Sequence, residues 1–251
     1  MTDLSIEPSQ MEPSQMEPSR TEIWKMFDAI SKTYDKTNRL MTFGLDLYWR
    51  GKMTSLLPKG KDLCLLDCAT GTADQIISLM KSTDRIEKAF GIDLSEEMLE
   101  IGRAKIMKKP FQSQVHLQNA SALALPFSEE TFDCVTLSFG IRNVTDVDLC
   151  LREIVRVLKP GGRALILETS LPKARLLKTF HLFYIRKILP LLGGWISKKK
   201  QAYTYLNKTA ETFPSGKNFC NLLEQAGFES VQCNPMTFGV VSIYLAEKPL
   251  C

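Results

Sequence analysis

The chain has 251 residues, enough for one full-sized domain with a buried core, and its 44% apolar and 24% charged residues match ordinary globular composition. That balance excludes a collagen-like fibre, a coiled coil and wholesale disorder, and no run approaches the ~20 apolar residues that a membrane-spanning helix needs. The net charge of +4 and pI near 8.6 fall short of a dedicated nucleic-acid protein, and seven cysteines without a C-x-x-C pair offer neither a disulfide framework nor a thiolate metal site.

Residues 6–20 read IEPSQ, MEPSQ, MEPSR, with a proline in every copy. Such a segment buries too little apolar surface to offset its ordering, so 1–22 is expected to be a disordered tail and 23–251 a single domain. The apolar runs 63–68, 89–92, 115–117, 134–139 and 163–167 are short and end in polar or turn residues, as buried parallel strands do. Ser95 is placed to cap a helix whose first turn holds Glu96 and Glu97. Leu151, Ile154, Val155 and Leu158 recur at helical spacing, and Lys159-Pro160-Gly161-Gly162 is expected to end that helix and turn the chain into the next strand. The runs 228–233 and 240–247 are spaced for an antiparallel hairpin at one edge. This alternation predicts a doubly wound, mostly parallel α/β sheet of Rossmann-like type, with its ligand beyond the carboxyl ends of the strands.

The first strand leads into Asp67-Cys68-Ala69-Thr70-Gly71-Thr72-Ala73-Asp74 and the second ends at Asp93. A small-residue loop lets a cofactor approach the backbone, and an acid about 20 residues later suits ribose hydroxyls. The G-x-G-x-x-G of dinucleotide sites is missing, and Asp74 at the start of the following helix would repel a pyrophosphate. The pattern favours an adenosine cofactor without phosphate, such as S-adenosyl-L-methionine. A nicotinamide-dependent oxidoreductase shares the Asp93 logic and stays open as an alternative, separable by comparing the binding of the two cofactors.

FDAISKTYDKTNRLMTFG at 27–44, YWR at 48–50, LLDCATGTAD at 65–74, SFGIRNVTD at 138–146, LKPGGRALILE at 158–168 and ETFPSG at 211–216 together resemble the class I methyltransferases. More narrowly they resemble the UbiE/MenG/COQ5 family of quinone-biosynthesis C-methyltransferases. The resemblance implies that Asp67, Gly71 and Thr72 form the loop around the methionine moiety, Asp93 binds the ribose, Asn119 and Ala120 flank the adenine, and Ser138 lines the cofactor. Ala69 and Ala73 stand where many methyltransferases place glycine, and Asp46 where relatives often carry His. The implied reaction is C-methylation of a prenylated quinol, demethylmenaquinol first and a ubiquinone precursor, 2-polyprenyl-6-methoxy-1,4-benzoquinol, as the alternative.

A quinol ring carbon becomes far more nucleophilic when its hydroxyl, with a pKa near 10 by analogy with Tyr, loses its proton, and a nearby cation favours that anion. Arg142 is the candidate for this electrostatic role, and Tyr203, Tyr205 and Asp35 are candidates for acceptor contact. His116 and His181 are read as packed or surface residues. Residues 169–210 carry nine Lys or Arg and no Asp or Glu, interleaved with Leu176, Phe180, Phe183 and Ile188. A basic, apolar helical insertion at about 171–210 is expected to cover the acceptor and contact an anionic membrane surface from the cytoplasmic side. A noncatalytic RNA- or membrane-binding module would need only that segment, and a homodimer is left open.

Overall fold

The computed structural model describes residues 23–189, 191 and 200–250, without the side chains of 200–204. The repeat-containing tail, Lys198 and Lys199, and the side chain of Tyr203 lie outside the described residues.

A seven-stranded sheet has the order β3-β2-β1-β4-β5-β7-β6, built from β1 (Leu63–Cys68), β2 (Ile86–Asp93), β3 (Val115–Asn119), β4 (Phe132–Ser138), β5 (Leu158–Thr169), β6 (Glu229–Met236) and β7 (Val241–Glu247). The first five strands run parallel. β7 is antiparallel to both β5 and β6, so the C-terminal hairpin closes one edge as its spacing implies. Period-two alternation explains the two cores. Leu63 and Leu65 of β1 and Leu165 and Leu167 of β5 face one layer, while Leu66, Cys68, Ala164 and Ile166 face the other. Helix α3 (Asp74–Ser82) fills the first layer with Ile76, Ile77 and Leu79. Helices α5 (Val147–Val157) and α8 (Lys217–Gln225) fill the second with Leu151, Ile154, Phe219 and Leu223. At about 1.5–3 kcal/mol for each fully buried aliphatic or aromatic side chain, these layers supply the main drive for folding.

Helix α4 (Glu96–Ile106) begins where Ser95 was expected to cap it, the Ser95 hydroxyl accepting from the Met98 N–H at 3.2 Å. The Lys159-Pro160-Gly161-Gly162 segment differs from its expected role as a turn. α5 stops at Val157 and β5 starts at once, with Leu158 pairing Phe132 and an irregular register up to Cys134. The physical reason is a remote partner, because Gly161 N–H donates to the Lys248 carbonyl and Lys248 N–H to the Gly162 carbonyl.

The remaining elements sit over the carboxyl ends of the strands. Helix α1 (Ile23–Met41) is amphipathic and buries Ile30 and Met41 against Met98 of α4. Helix α2 (Leu45–Lys52) follows, with Trp49 buried and its Nε1 donating to Thr237 Oγ1 at 2.7 Å. Helix α6 (Arg175–Phe183), continued by one wider turn through Ile188, and α7 (Lys200–Thr212) occupy the segment after β5. No helix among the described residues is long and apolar enough to cross a membrane.

Candidate active site

The sheet order reverses between β1 and β4, and ligands of doubly wound sheets bind in the crevice at that switch point. The loop after β1 is made there from alternating left-handed residues, Ala69 at φ 51°, Gly71 at 53° and Ala73 at 63°. A side chain in that region costs roughly 1–2 kcal/mol, so the two alanines hold a conformation that glycine would accept freely. Asp93 at the end of β2 fixes the loop from the side. Its carboxylate accepts from Gly71 N–H at 2.8 Å and from Ser95 N–H at 2.9 Å, while burial pushes its carboxyl above the ordinary aspartate range. Gly140 crosses the loop so closely that an added Cβ would lie 2.7 Å from that of Ala69.

These groups bound a cavity of about 300 Å³. Ile23, Trp24, Phe27 and Tyr34 of α1 roof it, and Gly71, Asp93, Ala120 and Ser138 lie on its walls. Asn143 also lines it, and its Oδ1 is buried without a hydrogen-bond partner among the described residues. Among the described residues, the walls hold one carboxylate and no Lys or Arg. That charge balance offers nothing to a pyrophosphate and suits a cation, so the residues fit S-adenosylmethionine: small residues for close approach, an acid at ribose position and an unpartnered acceptor for an amino group.

Of the residues expected here from the sequence, Gly71, Asp93, Ala120 and Ser138 are brought together. Thr72, Asp67 and Asn119 stand behind or beside the wall. Thr72 donates to Asp35 Oδ1 at 2.6 Å, and exposed Asn119 donates to the Leu94 carbonyl at 2.9 Å. Asp67, buried beneath the loop, accepts from Thr70 at 2.7 Å and Thr136 at 2.6 Å, and burial raises its carboxyl to about 6. Asp74 does not face the cavity either. It pairs with Arg39 of α1 and Lys105 of α4, and Lys105 also binds Asp35 at 2.9 Å, tying α1 down. Burial pushes the Asp74 carboxyl up, but Lys105 and the neighbouring arginines hold it below its usual value. What disfavours a pyrophosphate is therefore the lack of a cation among the described lining residues, and not, as expected from the sequence, the Asp74 carboxylate, which is neutralised away from the cavity.

A second cavity of about 300 Å³ adjoins the first, and Tyr34 and Phe139 line both. Its other walls include Trp49, Arg142, His181, Ile185 and Leu206. Arg142 reaches it as half of a buried ion pair. Its Nη1 donates to Glu168 Oε1 at 2.6 Å and to the Phe139 carbonyl at 2.9 Å, while its buried Nε has no hydrogen-bond partner among the described residues. The arginine expected to serve as the electrostatic group thus carries its counter-charge with it, from Glu168 of β5. Tyr34, from the YD element, has its phenol pushed up by burial despite a hydrogen bond from Asn38. The roof of α1 and the inward turn of His181 escaped the sequence reading; the spacing of Phe27, Ile30 and Tyr34 was the available signal for the former.

The strand order, with a cavity at the switch point whose described lining holds an acid and no cation, is that of a class I S-adenosylmethionine-dependent methyltransferase. Solved structures agree on the fold. A methyltransferase of this class from Thermotoga maritima has a TM-score of 0.64 at 22% identity, covering 90% of this chain and 99% of its own. The phosphoethanolamine N-methyltransferase 2 of Haemonchus contortus, solved with S-adenosylhomocysteine, scores 0.64 at 14% identity, over 92% of this chain and 60% of its own. The chain belongs to the ubiE/COQ5 methyltransferase family, which matches residues 15–248. It is 40% identical to the ubiquinone/menaquinone biosynthesis C-methyltransferase UbiE of Geobacter sulfurreducens, over 90% of this chain and 88% of the relative. It is 38% identical to the demethylmenaquinone methyltransferase of Bacillus cereus, over 89% and 94%.

Proposed function

We propose that the chain transfers a methyl group from S-adenosylmethionine to a ring carbon of a prenylated quinol, converting demethylmenaquinol to menaquinol. The observation that carries this reading is the second, largely apolar cavity, which meets the cofactor cavity at Tyr34 and Phe139. Menaquinone chemistry is common to the names of both relatives, which supports the naphthoquinol. The ubiquinone precursor is the second reading, because the Geobacter relative's name spans both pathways.

When bound, the cofactor supplies an electrophilic methyl on a sulfonium. The chain's own groups orient and polarise. Asp93 keeps a lone pair on each oxygen for ribose hydroxyls while its other lone pairs hold Gly71 and Ser95. Ala120 borders the adenine with Asn119 beside it, Ser138 lines the floor, and Asn143 Oδ1 takes the amino group. Asp67 and Thr72 act from behind, keeping the left-handed loop in shape. In the acceptor cavity Arg142 Nε donates to the quinol oxygen on which charge develops, and Glu168 fixes the guanidinium plane. Tyr34, kept protonated by burial, remains a donor, and Tyr203 is assigned to acceptor contact.

The tail of such an acceptor dissolves in a membrane, and α6 offers a surface for it. Leu176, Phe180 and Phe183 are 69%, 64% and 58% exposed, with Arg175 and Lys178 alongside. This supports a peripheral contact at the inner face of an anionic membrane. Methyl-labelled cofactor should label demethylmenaquinol under reducing conditions only; equal labelling of the oxidised quinone would overturn the proposed nucleophile.

A further inference from the structure

Among the groups on the acceptor cavity wall, we infer that His181 is the proton acceptor for the quinol hydroxyl. The inference deepens the function proposed above and rests on it. His181 stands on the last turn of α6, half-buried where Phe180 and Phe183 are exposed, and lines the cavity with Tyr184 and Ile185. Each other polar group there is unsuited to the task. Arg50 and Arg142 are cations, with no lone pair to offer. Tyr34 has a phenol pushed up by burial and gains nothing by taking a proton. The Tyr184 hydroxyl is committed to the Met41 carbonyl at 2.7 Å. Asp46 accepts from Thr42 at 2.8 Å through one oxygen and is ion-paired with Arg39 through the other, so both oxygens are engaged away from the acceptor. Among the described residues on this wall, an uncharged imidazole is the remaining base of useful strength at neutral pH.

The surroundings keep it uncharged. Burial lowers the His181 pKa below the ordinary histidine value, against an opposing pull from Glu211 of α7. Glu211 is itself neutralised by Arg186, which donates to both its oxygens at 2.9 and 3.0 Å through Nε. The other charges lining the cavity are Arg50 and Asp46 from α2 and Arg142 from beyond β4, whose partner is Glu168. In the step, the quinol O–H bond breaks and its proton passes to an imidazole nitrogen. The oxygen pair moves into the ring, the ring carbon forms its bond to the methyl, and the carbon–sulfur pair stays on sulfur as a neutral thioether. The imidazolium returns its proton to the ring oxygen as the methylated carbon loses its hydrogen to water, so one proton leaves per turnover.

The test is the pH profile of methyl transfer to a reduced, short-tailed demethylmenaquinol. In the parent, kcat/KM should fall on acidification through a group titrating below the ordinary histidine value. His181→Gln should lower kcat about 100-fold, within the range for loss of a general base, and should erase that acid limb while leaving calorimetric affinity for S-adenosylmethionine unchanged. Asp46→Asn should keep the limb, and added imidazole should restore His181→Gly. With only two histidines in the chain, the ring resonance of His181 in the parent gives its titration directly and guards against a folding artefact. A parent that turns over the quinol with the same limb in His181→Gln sinks the inference alone. A parent that does not methylate the quinol at all removes the proposed function and the inference with it.

Discussion

Replacing Asp93 with Asn separates charge from shape at the centre of the cofactor cavity. Each carboxylate oxygen of Asp93 accepts one backbone N–H, from Gly71 at 2.8 Å and from Ser95 at 2.9 Å, leaving one lone pair per oxygen for the ribose. An amide has one oxygen and one NH₂, so the NH₂ must face either Gly71 or Ser95, donor against donor. The variant loses one backbone bond and one ligand bond, both to a charged acceptor. Such bonds are worth about 1.5–3 kcal/mol each, so affinity for S-adenosylmethionine should weaken by roughly 10- to 100-fold. Isothermal titration calorimetry measures this, with hydrogen exchange at Gly71 reporting the loop. Burial raises the Asp93 carboxyl, so the parent's affinity should begin to fall on acidification above the ordinary aspartate range, and the Asn variant should lack that loss. Affinity within threefold of the parent, with a pH dependence unchanged, would refute the placement of the ribose at Asp93.

Asp67→Asn tests the buried acid beneath the loop. Burial raises its folded pKa to about 6, above the ordinary aspartate range, so burying its charge costs stability that is fully developed near pH 7 and above and shrinks as pH falls through 6 toward 4. The stability of the variant relative to the parent, from urea unfolding, should therefore rise by about 2.4 kcal/mol between pH 4 and 7; a flat difference contradicts the assignment. Lys105→Met leaves Asp74 and Asp35 without their shared cation and should cost about 1–3 kcal/mol, with faster proteolysis within α1; unchanged proteolysis would dissociate the cluster from the seating of that helix. Phe180→Ser with Phe183→Ser should weaken binding to anionic vesicles by at least 10-fold while sparing cofactor affinity, and equal sedimentation with vesicles would remove α6 as the contact.

What was legible in the sequence depended on local cues. The central strands β1, β4 and β5 show as apolar runs because they are buried on both faces, whereas edge strand β3 exposes His116, Gln118 and Asn119 and β2 begins at Ile86, ahead of its run, through the exposed pair Glu87 and Lys88. Gly71, Asp93 and Ser138 were legible because strand ends in this topology converge on one crevice. The Lys159–Gly162 segment was not, since its hydrogen-bond partner Lys248 is almost ninety residues away. His181 gave no sign of its role either. A histidine on a greasy helix looks the same whether it faces solvent or a cavity, and only the packing of α6 beside α1 and α7 decides between them. The pairing of Arg142 with Glu168 was hidden for the same reason, as β5 had to be set beside β4 before the two could meet.

Helix α1 supplies Trp24 and Phe27 to one cavity and Asn38 and Met41 to the other, with Tyr34 in both. Two ligands under a single cover cannot come and go independently. The expected order of release is the methylated product first and the spent cofactor second. Steady-state data should then give intersecting double-reciprocal lines, with S-adenosylhomocysteine competing against S-adenosylmethionine and not against the quinol. The same cover makes the demethylated cofactor a slow tenant, and turnover is expected to be set by its departure.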